Sequence, residues 1–126
     1  MDGVVHFEIP TDDLARAKEF YGSAFGWQLQ QVPEMDYTTA MTTPVDEQTQ
    51  RPSEPGSING GLMARSADTP NPIITIGVGS VADALKKVEA AGGSTVTPET
   101  QIPGMGAFGY FKDSEGNVLG LFAAGR

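Results

Sequence analysis

Val4-Val5-His6-Phe7-Glu8-Ile9-Pro10-Thr11-Asp12-Asp13-Leu14-Ala15-Arg16-Ala17 is answered in the second half of the chain by Asn71-Pro72-Ile73-Ile74-Thr75-Ile76-Gly77-Val78-Gly79-Ser80-Val81-Ala82-Asp83-Ala84. Each copy opens with a short alternating strand, crosses a polar turn and enters an amphipathic helix. In the first copy the period of two puts Val5, Phe7 and Ile9 on one face and Val4, His6 and Glu8 on the other. A second echo closes each half, Gly61-Leu62-Met63 against Gly120-Leu121-Phe122. An internal repeat of this kind fixes the architecture before any single residue does.

Working outward from the first copy, Pro10 is expected to end the strand and Thr11 or Asp12 to cap the helix. Leu14, Ala17, Phe20, Tyr21, Ala24 and Phe25 recur at helical spacing, and Gly26 sits where a helix stops. Residues 27–32, 37–42 and 58–63 read as strands. The proline-containing stretch 43–57 between the last two reads as an exposed loop. Residues 66–72 form the expected linker. The second half repeats the order: a strand over 73–78, a helix capped by Ser80 with the apolar stripe Val81, Ala84, Leu85, Val88 and Ala91, and a stop at Gly92-Gly93. Strands follow near Val96, over 107–111 and over 118–122, the last two joined by a tight turn at Asp113-Ser114-Glu115-Gly116-Asn117. Each half is therefore βαβββ, and a unit that covers only one face of its sheet needs a second to pair with. The expected fold is α+β: a single domain over 1–126 made of two tandem modules, about 4–65 and 73–124.

Bulk properties narrow the partners. A chain of 126 residues with 39% hydrophobic content supports one domain with a modest core. No apolar run approaches the roughly 18 residues of a membrane span, and no basic segment leads into an apolar one as in a signal peptide, so a cytoplasmic location is expected. With no cysteine there is neither a disulfide framework nor a thiolate metal site. A formal net charge of −8 disfavours nucleic acid and anionic membrane. Gly-x-Ser-x-Gly, phosphate-loop and His-Glu-x-x-His patterns are missing, and Gly77-Val78-Gly79 lacks the remainder of a dinucleotide fingerprint.

The strand with His6, the run Asp13-Leu14-Ala15-Arg16-Ala17, then Phe20-Tyr21 and Phe25-Gly26-Trp27 together resemble the opening of the vicinal oxygen chelate superfamily. That group holds glyoxalase I, extradiol dioxygenases, fosfomycin-resistance enzymes and bleomycin-binding proteins. Asp113-Ser114-Glu115-Gly116-Asn117-Val118-Leu119-Gly120-Leu121-Phe122 resembles its closing turn and strand. Asn59-Gly60-Gly61-Leu62-Met63 and Ile102-Pro103-Gly104-Met105-Gly106 resemble a glyoxalase-like subgroup that includes a Streptomyces growth-and-osmotic-stress protein. The resemblance spans nearly the whole chain and implies the glyoxalase/bleomycin resistance fold, a curled mixed sheet around a cleft. It does not imply one reaction, because the fold hosts isomerases, oxygenases, transferases and binders.

The superfamily's metal enzymes hold one divalent cation through His, Glu or Gln on the first and last strands of two modules. Carried over by the internal repeat, those positions are His6, Ile73, Gly61 and Gly120. Only His6 can ligate, so no metal is expected. One divalent metal is the alternative, through a slipped register at 59–63 or ligands from a second chain.

His6, the single histidine, and Glu8 share a strand face. They are candidates for acid–base catalysis, or a polar pair that merely satisfies itself. Tyr37, Met63, Tyr110 and Phe122 are candidate ligand-binding residues that give a cavity an apolar lining. Thr75 and Asn59 are candidate polar anchors, Gly61 and Gly120 leave room, and Met105 lies on a glycine-flanked loop suited to the cavity mouth. Trp27 is expected to pack rather than touch ligand. The reading is a metal-free binder of a small hydrophobic or aromatic molecule, working as a homodimer. The alternatives are a metal-dependent lyase or isomerase of glyoxalase type and a metal-free acid–base enzyme using His6 and Glu8.

Overall fold

The computed structural model describes residues 1–125. Eight strands and two helices give an α+β fold. The chain falls into two compact units, His6–Pro72 and Met1–Val5 with Ile73 onward.

The first unit holds β1 (Val4–Thr11, from His6 on), α1 (Leu14–Phe25), β2 (Gln28–Gln31), β3 (Thr38–Met41) and β4 (Gly60–Ala64), the strands ordered β2-β3-β4-β1. β1 runs parallel to β4, with Glu8 opposite Gly61 and Ile9 opposite Leu62, whereas β2, β3 and β4 pair antiparallel. Two expectations need correction here. Pro10 does not end the strand: it lies opposite Met63 and the strand continues to Thr11. The helix cap is Asp13, neither Thr11 nor Asp12; its Oδ1 accepts the Arg16 N–H at 3.0 Å. Asp12 instead pairs with Arg65 at 2.9 Å, which removes it from competition for the cap. Gly26 stops the helix with φ 73°, a left-handed conformation open to glycine at no steric cost.

The stripe expected on α1 is less covered than its spacing suggests. No residue of the helix is buried, and Phe20 and Phe25 are 57% and 63% exposed. The aromatic contacts run instead through Tyr21, which stacks on Trp27 at 4.8 Å, and Trp27 in turn meets Phe7 at 5.6 Å. Trp27 is thus a packing residue. The loop 43–57 is mostly exposed, closed by an isolated bridge between Val45 and Pro52. Residues 66–72 belong to this unit, where Ser66 bonds Thr69 and Arg65 donates to the Pro70 carbonyl.

The second unit repeats the order with β5 (Ile73–Gly77), α2 (Val81–Ala90), β6 (Ser94–Ile102), β7 (Gly106–Lys112) and β8 (Val118–Ala124), arranged β5-β8-β7-β6. β5 lies parallel to β8, with Thr75 opposite Gly120. Ser80 caps α2 by accepting the Asp83 N–H. The apolar stripe of α2 delivers Val81 and Leu85 into a buried cluster with Ala107, Phe111 and Leu121. The turn from β7 to β8 closes on Asp113, whose carboxylate accepts from the N–H groups of Glu115 and Asn117 while Gly116 takes φ 84°. Among the described residues no helix is long and apolar enough to cross a membrane.

Candidate functional site

Register in the first unit decides what shares a face. Glu8, Gly61 and Thr39 form one row across β1, β4 and β3. His6 precedes Glu8 by two residues and so lies on the same side, as does Met63 after Gly61. Tyr37 precedes Thr39 by two and reaches back over this face. Its hydroxyl lies 2.7 Å from His6 Nε2, and the two rings are nearly parallel, 19° apart. A Cβ on Gly61 would overlap the Tyr37 phenol, with the hydroxyl oxygen as its nearest neighbour. Glycine at 61 is therefore what lets the tyrosine lie down across the strand, a close approach of the sort strand glycines often mark.

Glu8 is 7% exposed, and His6 and Tyr37 are half-buried. Burial pushes the His6 imidazole below its ordinary pKa, and the charge of Glu8 works against that shift. The imidazole is thus neutral near pH 7 and available for a neutral hydrogen bond with the phenol.

A recess of about 150 Å³ opens on the same unit, with apolar walls from Leu14, Tyr37, Leu62 and Met63 and with Asp12 and Asp36 on its lining. Tyr37 is common to this recess and to the polar cluster. Asn59, expected as a ligand anchor, has its side chain engaged elsewhere: Oδ1 accepts from the N–H groups of Thr42 and Thr43 at 2.8 and 3.1 Å, and Nδ2 donates to the Thr43 carbonyl. It clamps the start of the 43–57 loop.

In the second unit the corresponding row is Thr75, Gly120 and Tyr110. Thr75 is 4% exposed, and its Oγ1 lies 2.8 Å from where a Gly120 Cβ would stand. Phe122 shares this face two residues beyond Gly120 and is half-buried, opposite Phe108. Phe108 meets Tyr110 edge-on at 5.8 Å and was not foreseen, although the β7 alternation puts it in phase with Tyr110. Met105 stands apart from this row. It occupies the turn from β6 to β7, where Gly125 N–H bonds its carbonyl at 2.9 Å, at the Gly106–Ala124 end of the ladder.

The metal of the superfamily's enzymes can be tested against these positions. Position 61 has no ligating side chain and its space holds the Tyr37 phenol; position 120 is glycine beside Thr75; position 73 is a buried isoleucine. Among the described residues no three of His, Cys, Asp and Glu converge on one point. Divalent cations at N/O sites need several donors at about 2.0–2.2 Å. The residues present do not fit the ion.

The arrangement has relatives. Residues 4–44, about a third of the chain, match the family described as bleomycin resistance protein-like N-terminal. No functionally curated relative matches. A hypothetical protein from Bacillus halodurans C-125 shares the fold at TM-score 0.66 and 13% identity, covering 99% of this chain and 96% of its own. Methylmalonyl-CoA epimerase from Mycobacterium tuberculosis does so at 0.63 and 18%, covering 98% and 89%. The Streptomyces coelicolor methylmalonyl-CoA epimerase, in complex with 2-nitronate-propionyl-CoA, does so at 0.66 and 16%, covering 98% and 97%. At these identities the likeness is one of fold. Two βαβββ units and these structural likenesses give the chain a glyoxalase/bleomycin-resistance-like α+β fold, and its residues 4–44 are similar to the N-terminal region of bleomycin resistance-like proteins.

Proposed function

We propose that the protein is a metal-free binder of a small hydrophobic or aromatic molecule. The observation that carries this reading is the filling of position 61 by Tyr37 on His6, which replaces a ligating side chain with a neutral hydrogen-bonded pair beside an apolar recess. Pockets of this type are apolar with few polar anchors. The match to a bleomycin resistance protein-like region supports binding as the activity. The test is calorimetric titration of the metal-stripped protein with Ni²⁺, Co²⁺, Zn²⁺, Mn²⁺ and Fe²⁺, alongside a ligand screen by NMR. We expect no stoichiometric metal binding tighter than about micromolar and hits among apolar and aromatic compounds. Tight metal binding that is lost in His6→Ala would overturn the reading in favour of a metal lyase or isomerase.

A second reading is favoured by the buried His6–Tyr37 contact with Glu8 nearby: metal-free acid–base catalysis. Turnover abolished in His6→Ala would support it. Unchanged turnover would remove it. Pairing of two copies belongs to the same proposal, and the exposed Phe20 and Phe25 are apolar surface such pairing would cover. Sedimentation showing only monomer at micromolar concentration would exclude it.

A further inference from the structure

Asn59, whose amide clamps the start of the 43–57 loop, is followed in sequence by Gly60. We propose that Asn59-Gly60 is a site of spontaneous deamidation, gated by the loop that the Asn59 amide holds at its root.

Three observations carry it. The first is chemical. The backbone nitrogen of the residue after an asparagine can attack the side-chain Cγ; a C–N bond forms, the side-chain nitrogen leaves as ammonia, and a succinimide remains. Water then opens that ring to aspartate or isoaspartate. Glycine at 60 has no Cβ to obstruct the approach. The second is the latch. Asn59 Oδ1 accepts from the N–H groups of Thr42 and Thr43, Nδ2 donates to the Thr43 carbonyl at 3.2 Å, and Thr42 Oγ1 donates to the Ile58 carbonyl at 2.7 Å. Gly60 itself is paired with Phe7 on one side and Ala40 on the other. Both sets of bonds must let go before the nitrogen reaches Cγ, so the chemistry waits for the root to open. The third is that the closed root is imperfect. Thr43, 6% exposed, buries its hydroxyl with no partner among the described residues, and an orphaned polar group favours opening. The loop is also organised within itself: Ser53 N–H and Oγ both bond the Pro44 carbonyl, and Val45 bridges Pro52, so it moves as one piece.

The product does not remake the latch. An oxygen in place of Nδ2 faces the Thr43 carbonyl, acceptor against acceptor. Isoaspartate also adds a backbone carbon just before Gly60, against the register that sets Gly61 opposite Glu8. Deamidation is thus a one-way switch that frees the loop and disturbs the glycine across which Tyr37 lies.

The parent chain, Thr42→Val and a synthetic peptide of residues 57–63 are incubated in mildly alkaline buffer and mapped by mass spectrometry for the mass gain and isoaspartate at 59. The peptide should convert at least about tenfold faster than the folded chain, because only opened molecules react. Thr42→Val, without the hydroxyl bond to Ile58, should convert about fivefold faster than the parent. A folded chain as fast as the peptide, a folded chain that never gains the mass at 59, or a variant no faster than its parent overturns the proposal. Where the variant does not fold, low urea serves on the parent: conversion should rise below the global unfolding transition, and a rise only within it overturns the gate. The aged form, isolated by its extra negative charge, should exchange the Thr42 and Thr43 N–H groups about fivefold faster than the fresh chain. Equal protection overturns the switch.

Discussion

At the scale of the residue, His6 controls a pH dependence whose sign follows from burial. Its pKa in the fold lies below the ordinary value of about 6.5, with desolvation as the main cause and the Glu8 charge opposing. The unfolded chain therefore takes up a proton before the folded one does. Stability is complete above that ordinary value and falls as pH drops through the interval down to the lowered one, then levels off until carboxylates titrate. Urea unfolding at steps between about pH 7.5 and pH 5 should show this loss, and His6→Gln should flatten that part of the curve. A profile unchanged by the substitution would mean that the imidazole is hydrated. His6 and Glu8 were legible as a pair because strand alternation alone puts them on one face. The Tyr37 contact was not, since it spans 31 positions and depends on how a ring lies across a neighbouring strand. The one local signal for it was Gly61, a glycine inside a strand pattern.

At the scale of the element, the two parallel ladders are the same device with different contents. β1–β4 sets Glu8 against Gly61, and β5–β8 sets Thr75 against Gly120. The repeat was readable as equivalent positions, Gly61 with Gly120, because its period is a property of sequence; which residue each glycine faces across the ladder came from the structure. What each glycine accommodates was hidden, because it is a property of side-chain direction. Gly61→Ala forces a methyl group into the Tyr37 ring and should cost about 1–3 kcal/mol, the range for overpacking. Gly120→Ala meets the Thr75 side chain, with Oγ1 at 2.8 Å and Cβ and Cγ2 at 3.5 Å, a milder overlap than at 61, and should cost less. Chemical unfolding of the two variants checks the order, and Tyr37→Ala should relieve the first. The expected α1 stripe is the element-level lesson in the other direction. Period 3.6 identified the helix correctly, but Phe20 and Phe25 lie exposed, so spacing did not say how much of the face would be covered. On α2 the same kind of pattern buries Val81 and Leu85.

At the scale of the whole molecule, charge and duplication are the governing facts. Sixteen acidic against eight basic residues give a sequence pI near 4.4. Solubility should pass through a minimum close to that pH, and turbidity recorded against pH at fixed concentration will show it. A minimum far from it would mean that association is governed by apolar surface. The duplication carries a consequence for redesign. The two halves differ in what it would take to alter them: at 120 an added Cβ crowds the Thr75 side chain, whereas at 61 it overlaps the Tyr37 ring and the tyrosine must first be lost. Any redesign that would put a ligating side chain at these two positions therefore has an order of steps imposed on it, with position 61 locked until Tyr37 goes.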